Sequence, residues 1–313
     1  MAGATGTMGR PLVRALAARG YQVIGMTRTP SKRQLIAADG GQAVVADALD
    51  ARAVNEVIAA ARPTHVVHLL TALPPVAAMR PGDLRQTNRL RLEGTRHLLA
   101  ASIRAGVRRI VAESFLAVYG SGREGWIDES EALVDPGPPP LRETIAALRG
   151  LEQQVLSAVR SGDIEGVVLR FGAIYGPGVP STEAALRRLQ SRRFFVPAGA
   201  TGRMPFVHID DVVSAMVAAL QSPVARGVYN IADDDPMPFA AFAGTAAVLL
   251  GVPAPRALPG WLVRIAAPLG GALTSLNLAL SSDRAHHELC WTPRYRTPHD
   301  GLLQTVVSLR RAA

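Results

Sequence analysis

The chain opens with three glycines spaced three residues apart, in the stretch GATGTMG that spans Gly3–Gly9. This spacing permits a tight turn, a close approach by a phosphate group and close packing of the helix that follows. A helix is predicted over residues 11–18, and its free N–H groups and dipole suit a pyrophosphate. An ordinary glycine turn is the alternative. Because strands and helices alternate along the chain that follows, the stretch favours dinucleotide binding.

Only Met1 and Ala2 precede the first glycine, although such a turn normally follows a buried strand. In a doubly wound sheet that strand is central and is covered on both faces. We therefore expect the first strand to be truncated, with about five or six residues missing upstream of the recorded start.

Strand and helix patterns alternate as far as residue 171, which predicts a parallel sheet with right-handed crossovers. The predicted strands span 21–27, 42–46, 65–70, 108–114 and 166–171. The predicted helices span 51–61, 84–105 and 141–160, and a proline-broken loop is predicted over 71–81. Beyond residue 175 the pattern loosens, with one helix predicted over 212–220 and one strand over 228–231. The looser part predicts a second lobe at the carboxyl edge of the sheet.

The formal net charge is +9, and Lys32 is the only lysine among 34 basic residues. The arginines are scattered through amphipathic helices and form no basic stripe with aromatic platforms, which argues against a nucleic-acid partner. The densest group, over 187–193, is interpreted as a solvated helix face, with an anion site as the alternative.

The apolar segment 261–280 is interrupted by Arg264, Pro268 and two glycines, which argues against a membrane-spanning helix. Cys290 is the only cysteine, so disulfide frameworks and thiolate zinc sites are excluded, and we expect it in the core. The seven histidines form no metal-ligand pattern. No signal peptide is visible, so a cytoplasmic location is expected.

Three cations, Arg28, Lys32 and Arg33, follow the strand predicted over 21–27. In dinucleotide folds, a carboxylate at this strand end binds the ribose 2′-hydroxyl of NAD, whereas a cation accepts the 2′-phosphate of NADP. The sequence therefore favours NADP, unless Arg28 merely ends its strand. Asp47, after the next strand, is placed to accept from the adenine amino group or to cap a helix, as Asp50 also is.

Further motifs follow in a fixed order. They are Val66-Val67-His68-Leu69, Asn88 with Gly94-Thr95-Arg96-His97-Leu98-Leu99, Val118-Tyr119-Gly120, Leu169-Arg170, Tyr175-Gly176-Pro177-Gly178, Phe206–Asp211, Val228-Tyr229-Asn230 and Trp291-Thr292-Pro293. Together with the glycine stretch, they resemble the extended short-chain dehydrogenase/reductases, the NAD-dependent epimerase/dehydratase family. The resemblance covers most of the chain.

This resemblance implies an α/β fold: a Rossmann-type doubly wound parallel sheet, here with its first strand truncated, and a small C-terminal substrate lobe. Residues 1–175 and 206–232 are expected to form the NAD(P)-binding domain, and residues 176–205 and 233–313 the substrate-binding lobe. The expected cofactor contacts are Gly3, Thr5, Gly6, Thr7, Met8, Gly9, Arg28, Arg33, Asp47, Ala48, Leu69, Leu70, Thr71, Asn88 and Phe171.

The chain departs from the family at the catalytic positions. The family uses a Ser or Thr after the strand predicted over 108–114 and a Tyr-x-x-x-Lys pair on the next long helix. There the tyrosine moves the substrate proton, while the lysine lowers its pKa and holds the nicotinamide ribose. Here the three positions hold Phe115, Thr144 and Leu148. The sequence therefore resembles an atypical member that lacks the Ser/Tyr/Lys triad.

Two hydroxyl groups remain as candidate catalytic groups, those of Ser114 and Tyr175. Ser114 could donate to a substrate carbonyl, or bond only to backbone. Tyr175 could donate a proton, although its Tyr-Gly-Pro motif fits a structural turn equally well. Glu113 is either a carboxylate in the cleft or a surface charge at the strand end.

Apolar side chains dominate the candidate substrate end, unless they are plain core. They are Phe115, Leu148, Phe194, Phe195, Met204, Phe206, Trp261 and Leu262. These features predict an NAD(P)-dependent oxidoreductase with a non-standard active site, acting on a small apolar carbonyl or alkene compound. The preferred cofactor is NADP, and NAD is the alternative. A catalytically silent NADP-binding regulatory module and a non-redox isomerase or dehydratase remain open. A small molecule is the expected partner, without nucleic acid or membrane, and a homodimer is compatible with the sequence.

Overall fold

The computed structural model describes residues 1–74 and 79–312, so part of the predicted loop 71–81 lies outside the described residues. The strands are β1 (Ile24–Thr27), β2 (Gln42–Val45), β3 (His65–His68), β4 (Arg109–Phe115), β5 (Glu165–Phe171), β6 (Ala173–Tyr175), β7 (Phe195–Pro197), β8 (Arg203–Met204), β9 (Phe206–His208), β10 (Gly227–Ile231), β11 (Met237–Pro238) and β12 (Arg256–Leu258). The helices are α1 (Gly9–Ala17), α2 (Arg33–Ala38), α3 (Ala51–Ala61), α4 (Arg85–Arg89), α5 (Thr95–Arg104), α6 (Arg142–Arg160), α7 (Pro180–Gln190), α8 (Ile209–Gln221), α9 (Phe239–Leu250), α10 (Gly260–Ala266), α11 (Pro268–Thr274), α12 (Asp283–Glu288) and α13 (Pro298–Ala312).

The central sheet is parallel, which confirms the predicted α/β class. Its strands run in the order β10-β5-β4-β3 on one side and β1-β2 on the other. Ala2 joins the two sides, because it forms parallel bridges to both Met26 and His68. The predicted strand bounds agree with the structure to within three residues, as strand ends usually do.

Met1 and Ala2 lie in the position of the expected first strand. The Ala2 amide donates to the Val67 carbonyl at 2.8 Å, and the Met26 amide donates to the Met1 carbonyl at 2.8 Å. These two residues therefore pair with the C-terminal ends of both neighbouring strands, where the glycine turn begins.

The helix predicted over 84–105 is interrupted. Between α4 and α5, residues Leu90–Gly94 form a π-helical turn. A π turn contains more residues per turn than an α-helix, so it changes the direction in which side chains point. Simple helical periodicity cannot reveal this feature, and it becomes important for Arg91 below.

The C-terminal region forms shorter pairings: β7 pairs with β12, and β8 pairs with β11. Part of this region packs on the main core, where Ala285, Leu289 and Trp291 join a cluster with residues of α1 and α8. Cys290 is exposed with φ 52°, so its expected place in the core is wrong. It occupies a left-handed turn between two buried neighbours. The predicted division into two domains stays a prediction.

None of the described helices is long and apolar enough to cross a membrane. The cytoplasmic location, the homodimer and the lack of a nucleic-acid partner stay predictions.

A buried arginine at the start of β4 fastens α8 to the sheet. Arg109 is 2% exposed, and its Nη1 donates to the carbonyls of Ala219 and Ser222 at 3.0 and 2.6 Å. Its Nε and Nη2 donate to Glu165 at 3.0 and 2.7 Å. One side chain thus satisfies both a carboxylate and the free carbonyls at the end of a helix.

We expect Arg109→Met to lower the free energy of unfolding by about 3–5 kcal/mol, because it leaves Glu165 and the helix-end carbonyls without their donor. The neighbouring Arg108 is the control, since its side chain is 62% exposed and lies 3.5 Å from the same carboxylate. Arg108→Met should cost about 1 kcal/mol or less. Urea unfolding of the two variants measures both values, and equal losses would contradict the proposed fastening.

Candidate active site

A cleft of about 830 Å³ runs from the glycine turn to residues of α9 and α11. It follows the C-terminal ends of the parallel strands, where ligands bind in sheets of this kind. Most of the expected cofactor contacts line it. They are Gly3, Thr5, Gly6, Thr7, Met8, Gly9, Arg28, Asp47, Ala48, Leu69, Leu70, Thr71 and Phe171. Arg33 and Asn88 are not among the lining residues.

The glycine turn has the shape that a phosphate requires. Gly3 has a φ of 89°, and a Cβ there would overlap the Leu69 carbonyl oxygen. A Cβ at Gly9 would overlap the Gly3 carbonyl oxygen in the same way. At Gly6 the nearest atom to such a Cβ would be 3.2 Å away, so this residue offers the cleft an uncovered backbone. The cradle fits the pyrophosphate of a dinucleotide.

The ribose end of the cleft is basic. Arg28 and Lys32 are exposed and line the cleft, and neither forms an ion pair among the described residues. Asp47 is exposed, and its carboxylate accepts from the Leu49 amide at 3.0 Å. Asp50 caps α3 by accepting from two backbone amides. This end of the cleft thus presents two exposed cations and one exposed carboxylate.

The three vacated catalytic positions lie at different depths. Phe115 and Thr144 line the cleft, whereas Leu148 is fully buried and packs in an apolar cluster beneath it. Asn88 is 8% exposed and donates from Nδ2 to the Thr144 hydroxyl at 3.4 Å, while its Oδ1 has no partner. Of these side chains, only Thr144 presents a hydroxyl group to the cleft, and this group does not ionise as a tyrosine would.

Ser114 belongs to a buried hydrogen-bond network. Its hydroxyl donates to Glu152 at 2.6 Å, and Arg170 donates to the same carboxylate from Nε and Nη2 at 2.9 and 2.6 Å. Arg170 also donates to the Tyr119 hydroxyl at 2.7 Å, which in turn donates to the Asn230 amide oxygen at 2.8 Å. Ser114 also lines the cleft. Glu152 takes its single hydroxyl hydrogen, and a catalytic role for Ser114 stays a prediction.

Tyr175 lines the cleft with its ring, which contacts Phe242 edge-on at 5.2 Å between ring centres. Its hydroxyl is buried without a hydrogen-bond partner and lies against Gly301 of α13. Burial, with Asp233 nearby, raises the pKa of Tyr175. The hydroxyl atom therefore packs against α13, which does not line the cleft, and a catalytic role for Tyr175 stays a prediction.

Two buried side chains of opposite charge line the cleft without pairing to each other. Arg91 is 7% exposed and Glu113 is 6% exposed. Nε and Nη1 of Arg91 have no partner, nor has Oε2 of Glu113. The two groups do not form an ion pair within 4.0 Å in the described part of the chain. Burial raises the pKa of Glu113 to about 7, although the charge of Arg91 acts to lower it. Glu113 is thus a cleft carboxylate rather than a surface charge.

The substrate end of the cleft is mainly apolar. Of the side chains expected there, Phe115, Phe194, Met204 and Phe206 line the cleft. The expectation is wrong for four others, since Leu148 is core and the rest are exposed away from the cleft. These four are Leu148, Phe195, Trp261 and Leu262. Phe239 and Phe242 of α9 also line this end and were not predicted, because nothing local indicates which face of an apolar helix meets a cleft.

The parallel sheet and the cleft at its C-terminal edge are those of a Rossmann-type fold. Residues 1–232 match the family model described as "NAD dependent epimerase/dehydratase family". The chain belongs to this family, as its motifs predicted. The UDP-glucose 4-epimerase of Thermus thermophilus, solved in complex with NAD, is 25% identical and superposes with a TM-score of 0.81. That match covers 100% of this chain and 98% of the epimerase.

Two curated relatives each match most of this chain. The 3-diazoavenalumate denitrifying reductase of a Streptomyces species is 41% identical over 311 residues, which cover 96% of this chain and 98% of that protein. Sterol demethylase protein B of Methylococcus capsulatus is 30% identical over 240 residues, covering 73% of this chain and 67% of that protein.

The buried carboxyl of Glu113 should make stability depend on pH. Its folded pKa of about 7 lies above the ordinary value of 4.5, so the folded chain binds more protons between these values. The free energy of unfolding should therefore fall as pH rises through this window, by about 3 kcal/mol in total. The glutamine of Glu113→Gln is neutral at every pH. The free energy of unfolding of this variant should therefore match that of the wild type near the ordinary pKa, and should exceed it by roughly the same 3 kcal/mol above the folded pKa. Urea unfolding across the window tests this, and parallel curves would contradict it.

Proposed function

We propose that this protein is an NADP-dependent reductase that removes nitrogen from a diazo-substituted carboxylic acid. The observation that carries the proposal is the replacement of the family's proton-transfer residues by Phe115, Thr144 and Leu148 in a cleft that keeps its phosphate cradle. The similarity to a denitrifying reductase over 96% of the chain supports the same conclusion.

A diazo substrate explains why proton-transfer residues are dispensable. Reduction of a carbonyl forms a charged oxygen that must receive a proton, which is the task of a tyrosine and lysine pair. A diazonium carbon that receives a hydride forms a C–H bond while its C–N bond breaks and N₂ leaves. The positive charge of the diazonium cancels the negative charge of the hydride, so neither the carbon that gains hydrogen nor the departing N₂ carries a charge. No proton is required. Phe115 and Leu148, which cannot transfer a proton, are therefore compatible with such a reaction.

The residues of the cleft divide the remaining tasks. The glycine turn would hold the pyrophosphate, and Arg28 with Lys32 would hold the ribose phosphate. When bound, reduced NADP supplies the hydride. Phe206, Phe239 and Phe242 would exclude water from the reacting carbon and pack against the apolar body of the substrate.

The purified protein should oxidise NADPH only when an aryl diazonium carboxylate is added. With a terminal ¹⁵N label in the diazonium group, mass spectrometry should find labelled N₂ in equal amount to the NADP formed. With deuterium on the transferable position of NADPH, the label should appear on the carbon that carried nitrogen.

A panel of apolar aldehydes, ketones and enones serves as the control and should give no NADPH oxidation. Turnover of a carbonyl compound instead of the diazonium would overturn the proposal in favour of an ordinary ketoreductase. Tight NADPH binding without turnover of either class would favour a regulatory binding module. Conversion without net NADPH consumption would favour an isomerase or dehydratase.

The preference for NADP should depend on Arg28. Arg28→Glu should weaken NADPH binding by about 10- to 100-fold, since a charge-assisted bond to the ribose phosphate is lost and a repulsive charge is added. NADH binding should change by no more than about 3-fold, because NADH lacks that phosphate. Arg160→Glu makes the same charge change at an exposed position outside the cleft and should affect neither. Fluorescence titration of the wild type and both variants measures the six constants, and equal losses for the two cofactors would remove Arg28 from this role.

A further inference from the structure

Arg91 and Glu113, which line the cleft, differ from the buried ion pairs of the described chain because they do not pair with each other. Arg170 and Glu152 close on each other at 2.6 Å, and Arg109 and Glu165 at 2.7 Å. In each pair the two side chains hydrogen-bond to each other, and they join two separate structural elements. Arg91 and Glu113 are also buried, at 7% and 6% exposed, yet they do not form an ion pair with each other.

An unpaired buried charge is costly, because it loses its hydration and receives no hydrogen bonds in return. Arg91 leaves two guanidinium nitrogens without acceptors, and Glu113 leaves one carboxylate oxygen without a donor. These three atoms are buried in the wall of the cleft that both residues line. A ligand with an anionic group and a cationic group on one molecule would complement both charges.

The local structure explains how these two side chains reach the cleft. Arg91 lies in the π-helical turn Leu90–Gly94, a feature that often occurs at functional sites. Glu113 lies two residues before Phe115 on β4, so the strand alternation puts it on the same face as that vacated position. The pair therefore belongs to the reacting end of the cleft rather than to the adenosine end.

We infer that Arg91 and Glu113 determine substrate specificity, with Arg91 binding an anionic substituent and Glu113 facing the cationic diazonium group of one zwitterionic substrate. This inference rests on the proposed function, because it takes the diazo acid as the substrate. It adds the residues that recognise the two charges. These residues bind and orient the substrate, and neither takes part in the transfer of the hydride.

Binding can be measured without turnover, in the complex with oxidised NADP. The probes are 3-diazoniobenzoate and 3-cyanobenzoate, since a nitrile has the shape and electron count of a diazonium but no charge. A third probe, 3-cyanobenzamide, removes the negative charge as well. The wild type should bind the diazonium acid at least about 10-fold more tightly than the nitrile acid, and the nitrile acid more tightly than the amide. Intact-protein mass spectrometry excludes covalent azo coupling during the titration.

Two variants separate the two charges. Glu113→Gln keeps the shape of the side chain and should weaken binding of the diazonium acid by roughly 30-fold, while binding of the nitrile acid changes little. Arg91→Gln should weaken binding of both acids by a similar factor and leave binding of the amide unchanged. Arg91→Lys should recover part of the lost affinity. Unchanged NADP affinity confirms that each variant is folded. Arg89→Gln is the control, because it removes a charge from the same helical segment outside the cleft and should leave the binding of all three probes unchanged.

The inference is overturned if the wild type binds the diazonium and nitrile acids equally, or if each variant weakens all three probes alike. The first outcome needs no variant, so it holds even if Arg91→Gln fails to fold. Failure of the proposed function is a separate result, because it appears as an absence of labelled N₂ with NADPH present. If the protein binds the diazonium acid selectively but releases no N₂, the roles of Arg91 and Glu113 in binding stand and the proposed reaction is wrong.

Discussion

The closed ion pair between Glu152 and Arg170 is the interaction on which the position of the candidate site depends. It joins α6 to β5 at 2.6 Å, takes the hydroxyl of Ser114 on β4, and continues through Tyr119 to Asn230 on β10. Buried pairs of this geometry are costly to break on one side, because the remaining charge has no water to solvate it. The network therefore fixes α6 against the sheet, and with it the depth at which Thr144 and Leu148 lie.

The fold follows from sequence because its signals are local. Alternating strands and helices, the glycine turn and the cap at Asp50 each depend on neighbouring residues, and the predicted helix 51–61 agrees with α3 at both ends. The family membership follows in the same way, from short motifs in a fixed order. The sequence does not indicate which distant residue becomes the hydrogen-bond partner of each polar side chain.

Two residues illustrate this limit. Ser114 stands next to a vacated catalytic position, but a strand alternates its side chains, so its hydroxyl donates to Glu152 on α6, a partner that the sequence does not indicate. Glu113 shares the face of Phe115, and the same period-two argument could have selected it. Arg91 was beyond reach, since an uninterrupted helix was predicted through the π turn that contains it. The cleft retains a cation and a carboxylate, but neither occupies the position from which the family transfers a proton.

The π turn has a consequence for how this cleft can change over time. A π turn holds one residue more than the α-helical turn it replaces, so deleting one residue within 90–94 would restore a regular helix with both flanks in their present register. The flank after the turn is held by Leu98 and Leu99, which are buried in a core cluster. Such a deletion would change which side chain of the turn meets the cleft in place of Arg91. A single-codon deletion at this point would thus exchange a group that faces a ligand without moving the core.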